Sequence, residues 1–351
     1  MSSSGGVVGV APVRFGLVGY GFGGRYFHAP LIASAVGCEL TAVATRSADR
    51  RALVGREHPD AVVVDDLAGL VAAGAEALVV STPAETHIPL CREALELGVP
   101  VVVDKPFALA AADARAAVEL AERLGVVLSV YQNRRWDSDF RTVRALAGGG
   151  ALGEITRFES RFERRQDGPP AAGGGTLLDF GSHLVDQALQ LLGPVRTVYA
   201  EIRSRDDAVG LDDDVFIALT HAGGARSHLW GSWVQSAPGP RFRVTGTRAT
   251  YVVDGMDIQE ELLLAGRTPA SEGDAWGVEP QDRWGRVHDG SAAVPQPPAR
   301  GRWDTYHPAF AAAVRGSGPV PVDPRDAVAT AEVLDAARAS DARRELVVVT
   351  G

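Results

Sequence analysis

The sequence predicts an α/β chain in two parts. The first is a doubly wound parallel sheet over residues 13–130, and the second is an α/β unit over 131–351 with a large open, mostly antiparallel sheet. Three observations carry this. From residue 13 to about 131, short apolar runs alternate with helix-length segments, the order that yields parallel strands with helices on both faces. Beyond 131 the runs lengthen and alternate apolar with polar residues, with few helices between them, as in an antiparallel sheet with one solvated face. At 351 residues the chain also exceeds what most single cores hold, so two domains are the default.

In order, residues 1–12 are small and Gly/Ser-rich and read as a disordered tail, without the basic start or long apolar core of a signal peptide. Strands are expected at 14–18, 40–44, 61–64, 77–80, 101–104 and 126–130, with helices at 88–97 and 111–124. In the second part a helix is expected at 139–146, then strands at 155–164, 196–202, 214–220, 226–233, 241–245, 250–253 and 260–264. Helices are also expected at 178–192 and 326–339, and 266–302, rich in Gly, Pro and charge, reads as loops. No internal repeat is evident.

Composition narrows the function. The chain is 46% hydrophobic and 23% charged, as ordinary globular proteins are. No run reaches the ~18 apolar residues of a membrane span. A net charge of −9 argues against a nucleic-acid surface, which needs a clustered basic face. Cys38 and Cys91 stand far apart and read as reduced thiols of a cytoplasmic protein.

The first strand stops at Gly19-Tyr-Gly21-Phe22-Gly-Gly24. In a G-x-G-x-x-G after a strand, the first glycine makes the turn and the second lets backbone approach a pyrophosphate. The third lets the following helix pack closely. The helix's free N–H groups then favour phosphate. These features predict a Rossmann dinucleotide site. An acidic residue to hold a ribose diol is expected about 20 residues later; the second strand instead ends in Thr45-Arg46-Ser47. Arg46 suits a 2′-phosphate through charge-assisted bonds, with hydroxyls of Thr45 and Ser47 beside it, so NADP is expected over NAD. Ser81-Thr82-Pro83, with His87 close behind, follows the fourth strand and should border the nicotinamide. His87 also fits a structural role at a helix start.

Lys105, in Asp104-Lys105-Pro106, ends the fifth strand and points into the crevice, where it can orient or relay the proton of a substrate hydroxyl. In Gly173-Gly-Gly-Thr-Leu-Leu-Asp179-Phe-Gly-Ser-His183-Leu-Val-Asp186, Asp179 and His183 are at i and i+4 and share a helix face. A neutral His183 can accept a carbinol proton while Asp179 binds substrate or steers the imidazole. A metal site using Asp186 is the weaker alternative, since no HExxH or CxxC element completes it. Tyr131, Asn133, Arg134 and Trp136 lie at the junction and suit a polyhydroxylated ligand or an interdomain hydrogen-bond knot. His28, His58, His221, His228, His288 and His307 show no partner pattern.

Three motifs in order, GYGFGG, DKP and LLDFGSHLVD, with the terminal Tyr306-His-Pro-Ala-Phe310, resemble the Gfo/Idh/MocA oxidoreductase family over nearly the whole chain. The resemblance implies a Rossmann domain joined to an α/β domain whose open sheet forms a homodimer or homotetramer interface, and chemistry on sugars or cyclitols. It matches Lys105 to the family's E-K-P lysine, and Asp179 and His183 to its D-x-x-x-H pair. Asp104 departs from the usual Glu. The run VYQNRRWDSDF with non-acidic Thr45-Arg46-Ser47 is similar to the branch holding NADP-dependent scyllo-inositol dehydrogenase. The expectation is an NADP(H)-dependent dehydrogenase of a polyol or sugar. A ketosugar reductase, a non-catalytic nucleotide sensor and a glycosidase using transient oxidation are the alternatives.

Overall fold

The computed structural model describes residues 11–167, 174–205 and 210–349. The expected tail therefore lies mostly outside the described residues, as does Gly173 of the second glycine run.

The first part contains β1 (Val13–Val18), α1 (Ala29–Ala33), β2 (Cys38–Ala44), α2 (Ala48–Glu57), β3 (Val62–Val64), α3 (Leu67–Ala72) and β4 (Ala77–Val80). It continues through α4 (His87–Glu96), β5 (Val101–Val103), α5 (Ala111–Leu124) and β6 (Leu128–Val130). The strands form one parallel sheet ordered β3-β2-β1-β4-β5-β6. The strand order reverses between β1 and β4, and ligands of such sheets bind at that switch, beyond the strands' carboxyl ends. β4 and β5 are wholly buried, as valine-rich strands covered on both faces should be.

The second part holds α6 (Ser138–Gly148), β7 (Ile155–Glu163), α7 (Gly175–Leu192), β8 (Val195–Arg203), β9 (Asp214–His221), β10 (Arg226–Ser232), β11 (Phe242–Gly246) and β12 (Thr250–Val253). After them come α8 (Gln259–Leu264), α9 (Pro269–Glu272), β13 (Arg286–His288), β14 (Ala293–Pro295), α10 (Tyr306–Val314), α11 (Pro324–Arg343) and β15 (Val347–Val348). The sheet has nine strands, ordered β14-β13-β12-β11-β7-β10-β9-β8-β15. Its pairings are antiparallel except β7 with β10. One face packs on α7 and α11 through Leu177, Leu184, Ile217, Leu229 and Leu334. The opposite face carries partly exposed Phe216, His228 and Trp230, whose rings touch one another.

Two expectations are corrected. The strand expected at 260–264 is helix α8. Glu and Leu are good helix formers, and burying the adjacent Leu262 and Leu263 while exposing Leu264 breaks the two-residue strand period. The loops expected at 266–302 contain the hairpin β13–β14. Its turn is set by Asp289, whose carboxylate accepts from the N–H groups of Ser291 and Ala292, and its pairing with β12 is non-local.

Two hydrophobic cores result, and their memberships cross the sequence. The core around the parallel sheet takes in Leu262, Trp276, Trp303, Tyr306, Phe310 and Ala327 from far down the chain. Helix α11 serves both, with Ala327, Val328 and Ala331 in the first and Val333, Leu334 and Ala337 in the second.

Candidate active site

The glycine turn opens the crevice. Gly19 has φ +95°, in the left-handed region, and a Cβ there would lie 2.2 Å from the Ser81 carbonyl. At Gly24 an added Cβ would meet the Gly19 carbonyl at 2.2 Å, so the helix start can sit against the strand end only with glycine there. At Gly21 a Cβ would meet nothing within 4 Å. The turn is thus tight underneath and open on top, a cradle that fits a dinucleotide pyrophosphate. Phe22, at the tip, is 58% exposed.

At the end of β2, Thr45 is buried, while Arg46 is exposed and has no ion-pair partner among the described residues. The Ser47 hydroxyl accepts from the Arg50 N–H and caps α2. Arg50, one turn further and also exposed, is a second cation at this edge that the motif reading misses.

After β4 the predicted contacts divide. The Ser81 hydroxyl donates to Asp104 (2.8 Å), and Thr82 pairs with Thr86 (2.6 Å). Pro83 is exposed. His87 is 1% exposed and both ring nitrogens face backbone carbonyls, Pro106 at 2.7 Å and Thr82 at 2.8 Å. It ties the β4 and β5 end loops together, a scaffold role, and leaves no ring nitrogen for a cofactor.

Lys105 follows β5, and its peptide bond to Pro106 is cis. Its ammonium forms an ion pair with Asp179 on α7, both side chains being partly exposed. This joins the two parts of the chain. Helix α7 is held at its start by Asp212, whose carboxylate accepts from the Leu177 N–H (2.6 Å). One turn beyond Asp179, His183 is 4% exposed and its Nδ1 has no hydrogen-bond partner. Burial, then the positive charges of Lys105, Arg134 and Arg241, push its proton affinity well below the ordinary imidazole range. A neutral imidazole with an unclaimed nitrogen can accept a proton from a bound hydroxyl.

The junction residues prove heavily engaged. Arg134 pairs with Asp137 (3.2 Å) and Glu260 (2.6 Å) and lies 4.7 Å over the Phe162 ring. Arg135 pairs with Asp186 and Asp326, which places Asp186 in an ion pair. Trp136 packs edge-on to Tyr306, and Tyr131 is buried between His28 and Tyr306. Asn133 is buried. Among the described residues no group of three or more His, Cys, Asp or Glu is placed to hold a metal, and no helix is long and apolar enough to cross a membrane.

A wall that the motifs miss adjoins His183. Phe162 stacks on Phe180 at 3.8 Å and lies 6.3 Å from the His183 ring. Arg164 covers Phe162 at 4.9 Å and shares Glu260 with Arg134. These residues come from α7, α8, the end of β7 and the turn before α6, whose meeting is not written in local sequence.

Family models for an NAD-binding Rossmann oxidoreductase domain and for a GFO/IDH/MocA C-terminal domain match residues 13–132 and 140–252. The chain belongs to the Gfo/Idh/MocA oxidoreductase family. It is 36% identical to the uncharacterized oxidoreductase YdgJ of Escherichia coli, over 92% of this chain and 94% of that one. It is 29% identical to the scyllo-inositol 2-dehydrogenase (NADP(+)) IolW of Bacillus subtilis, over 97% of each. A putative oxidoreductase from Klebsiella pneumoniae has the same fold, with TM-score 0.89 and 34% identity, over 97% of this chain and 96% of that one. As a Gfo/Idh/MocA protein the chain pairs a Rossmann NAD(P)-binding domain with a second, mostly antiparallel sheet.

Proposed function

We propose that this oxidoreductase transfers hydride between NADP(H) and a secondary alcohol or ketone of a cyclitol or sugar. Three observations carry the reading: the glycine turn open on top, the Lys105–Asp179 ion pair that joins the two parts of the chain, and the buried His183 imidazole one turn beyond Asp179 with an unpaired nitrogen. When bound, the nicotinamide C4 takes up or gives back the hydride. The protein residues handle the rest. His183 accepts the hydroxyl proton, Lys105 orients and polarises the same oxygen, and Asp179 fixes the Lys105 ammonium and receives a neighbouring substrate hydroxyl. Gly19, Gly21, Phe22 and Gly24 seat the pyrophosphate. Thr45, Arg46 and Ser47, with Arg50, suit the 2′-phosphate, and Ser81, Thr82 and Pro83 border the nicotinamide pocket.

The relative named as an NADP(+)-dependent scyllo-inositol dehydrogenase supports both cofactor and substrate class. The partly exposed aromatic face around Trp230 supports a homo-oligomer formed through the second sheet. The direct test is a polyol, aldose and ketosugar panel read by nicotinamide absorbance in both directions, with NADP(H) and NAD(H). Turnover of a cyclitol or sugar with NADP(H) is expected, and no response to any member of the panel would defeat the reading.

A further inference from the structure

Beneath the glycine turn, Asp104 of the DKP motif, its side chain 15% exposed, meets two buried histidines, His28 and His307, that neither the motifs nor the proposed chemistry uses. His28 closes the helical turn Gly24–His28 after the glycines, and His307 belongs to α10, 279 residues away. Both are 0% exposed. His28 Nδ1 and His307 Nε2 are 3.2 Å apart, and His28 Nε2 faces Asp104 Oδ2 at 3.4 Å, too loose to be a formed hydrogen bond. The Tyr131 ring covers His28 at 4.2 Å.

Asp104 gathers the parts of the crevice. Its Oδ1 accepts from the Lys105 N–H at 2.9 Å, and its Oδ2 from the Ser81 hydroxyl at 2.8 Å. Gly23 lies directly above, where an added Cβ would be 2.8 Å from Asp104 Oδ2 and 2.7 Å from Ser81 Oγ. The carboxylate thus touches the strand ends of β4 and β5, the lysine's own backbone and the underside of the phosphate turn. Burial raises its proton affinity, but His28, then Lys105 and His87, outweigh that and hold it well below the ordinary carboxylate range.

The direction of the Asp104–His28–His307 chain follows from its two unpaired nitrogens, His307 Nδ1 and His28 Nε2. An N–H directed at a carboxylate is favoured over a lone pair facing it, and a buried lone pair on His307 Nδ1 costs less than an unmet N–H there. The arrangement that fits both nitrogens has His307 Nε2–H donating to His28 Nδ1 and His28 Nε2–H directed at the Asp104 carboxylate 3.4 Å away. The N–H dipoles align toward the carboxylate and draw its charge away from the turn where phosphates would sit. A purely packing role fits poorly. Tyr131 Oη and His307 Nδ1 stay unpaired in the same cluster, a polar cost that apolar side chains would avoid.

We propose that Asp104 is a positioning residue, oriented by the His28–His307 relay, that sets the phosphate turn and Lys105 in register with each other. The idea rests on the oxidoreductase reading above. Dinucleotide titration of the wild type tests that reading by itself, because absence of binding by both NADPH and NADH would refute it before any variant is made.

The test of the relay uses the full chain, NADPH and NADH titrations, and ring-nitrogen shifts of 15N-histidine-labelled protein. Asp104→Asn, which presents N–H groups to donors, should weaken dinucleotide binding on the order of 10- to 100-fold and shift the His28 and His307 nitrogens together. Asp104→Glu, still a carboxylate, should restore most of both. His307→Leu should shift His28 Nδ1 and weaken binding in the same direction, and His307→Gln, whose amide can donate, should recover it. The His307 pair decides the matter if Asp104→Asn does not fold. Wild-type dinucleotide affinity in Asp104→Asn or His307→Leu, or His28 nitrogens that ignore both changes, would overturn the proposal.

Discussion

Two clusters of charge act on His183, and they are built on opposite plans. In the junction cluster, Arg134 and Arg135 are buried and their guanidinium groups are bound by Asp137, Glu260, Asp186 and Asp326. Gln187 adds a bond to the Arg134 carbonyl, and Trp303 donates to Asp137. In the other cluster, Lys105 and Asp179 are joined by a single ion pair and remain partly exposed, and His183 keeps a nitrogen with no partner. The sequence offers the sparse cluster as catalytic and the junction as either a substrate contact or an interdomain hydrogen-bond knot. Guanidinium groups held between two carboxylates have little left to give a ligand, even with Arg134 Nε unpaired, whereas a lone ion pair beside an imidazole with no partner carries a cost that chemistry can explain.

The contrast breaks most sharply under mutation of the sparse cluster. His183→Ala or Lys105→Ala should lower kcat on the substrate found by the panel on the order of 10²–10⁴-fold, and Lys105→Ala should do so with an unchanged urea midpoint. Full turnover in both variants would remove the distinction. In the junction cluster, Asp186→Asn leaves Arg135 buried with half its support and should cost about 3–5 kcal/mol of stability. The folded fraction should turn over as the wild type does, so a normal midpoint with lost activity would reverse the assignment. Arg46→Ala probes a third, exposed charge. Loss of a charge-assisted phosphate contact of about 1.5–3 kcal/mol should weaken NADP roughly 10- to 100-fold and spare NAD. Equal losses would exclude the 2′-phosphate role.

The smallest effect is a pH dependence. Burial first, then nearby cations, depress the proton affinity of His183 in the folded state, while the unfolded chain takes up that proton near pH 6.5. Its neutral burial is therefore without penalty above about pH 6.5, and stability falls as pH drops below it, by about 1 kcal/mol between pH 6.5 and 5.5. Urea midpoints at pH 5.5 and 7.5 should differ less in His183→Asn than in the wild type. An identical pH difference in the two would mean that His183 is not buried in its neutral form.

The six parallel strands and the Lys105, Asp179 and His183 positions are legible in the sequence because each is local. Valine runs, glycine spacing and an i, i+4 pair on one helix all lie within a few residues. What is not legible needs distant partners. Helix α8 reads as a strand because Glu260's task, holding Arg134 and Arg164, arises only when the junction folds. His28 and His307 show no pattern because 279 residues separate them, and only packing brings their rings together.

The crossing of the two cores bears on how the protein is made. Trp303, Tyr306 and Phe310 complete the core around the parallel sheet, and α11 closes it with Ala327 and Ala331. A ribosome delivers these residues long after the last parallel strand, so the nucleotide-binding half emerges early but stays unfinished while the second half is synthesised. The final step of its folding waits for that half and is joined to it, because the second core takes the next turns of the same helix.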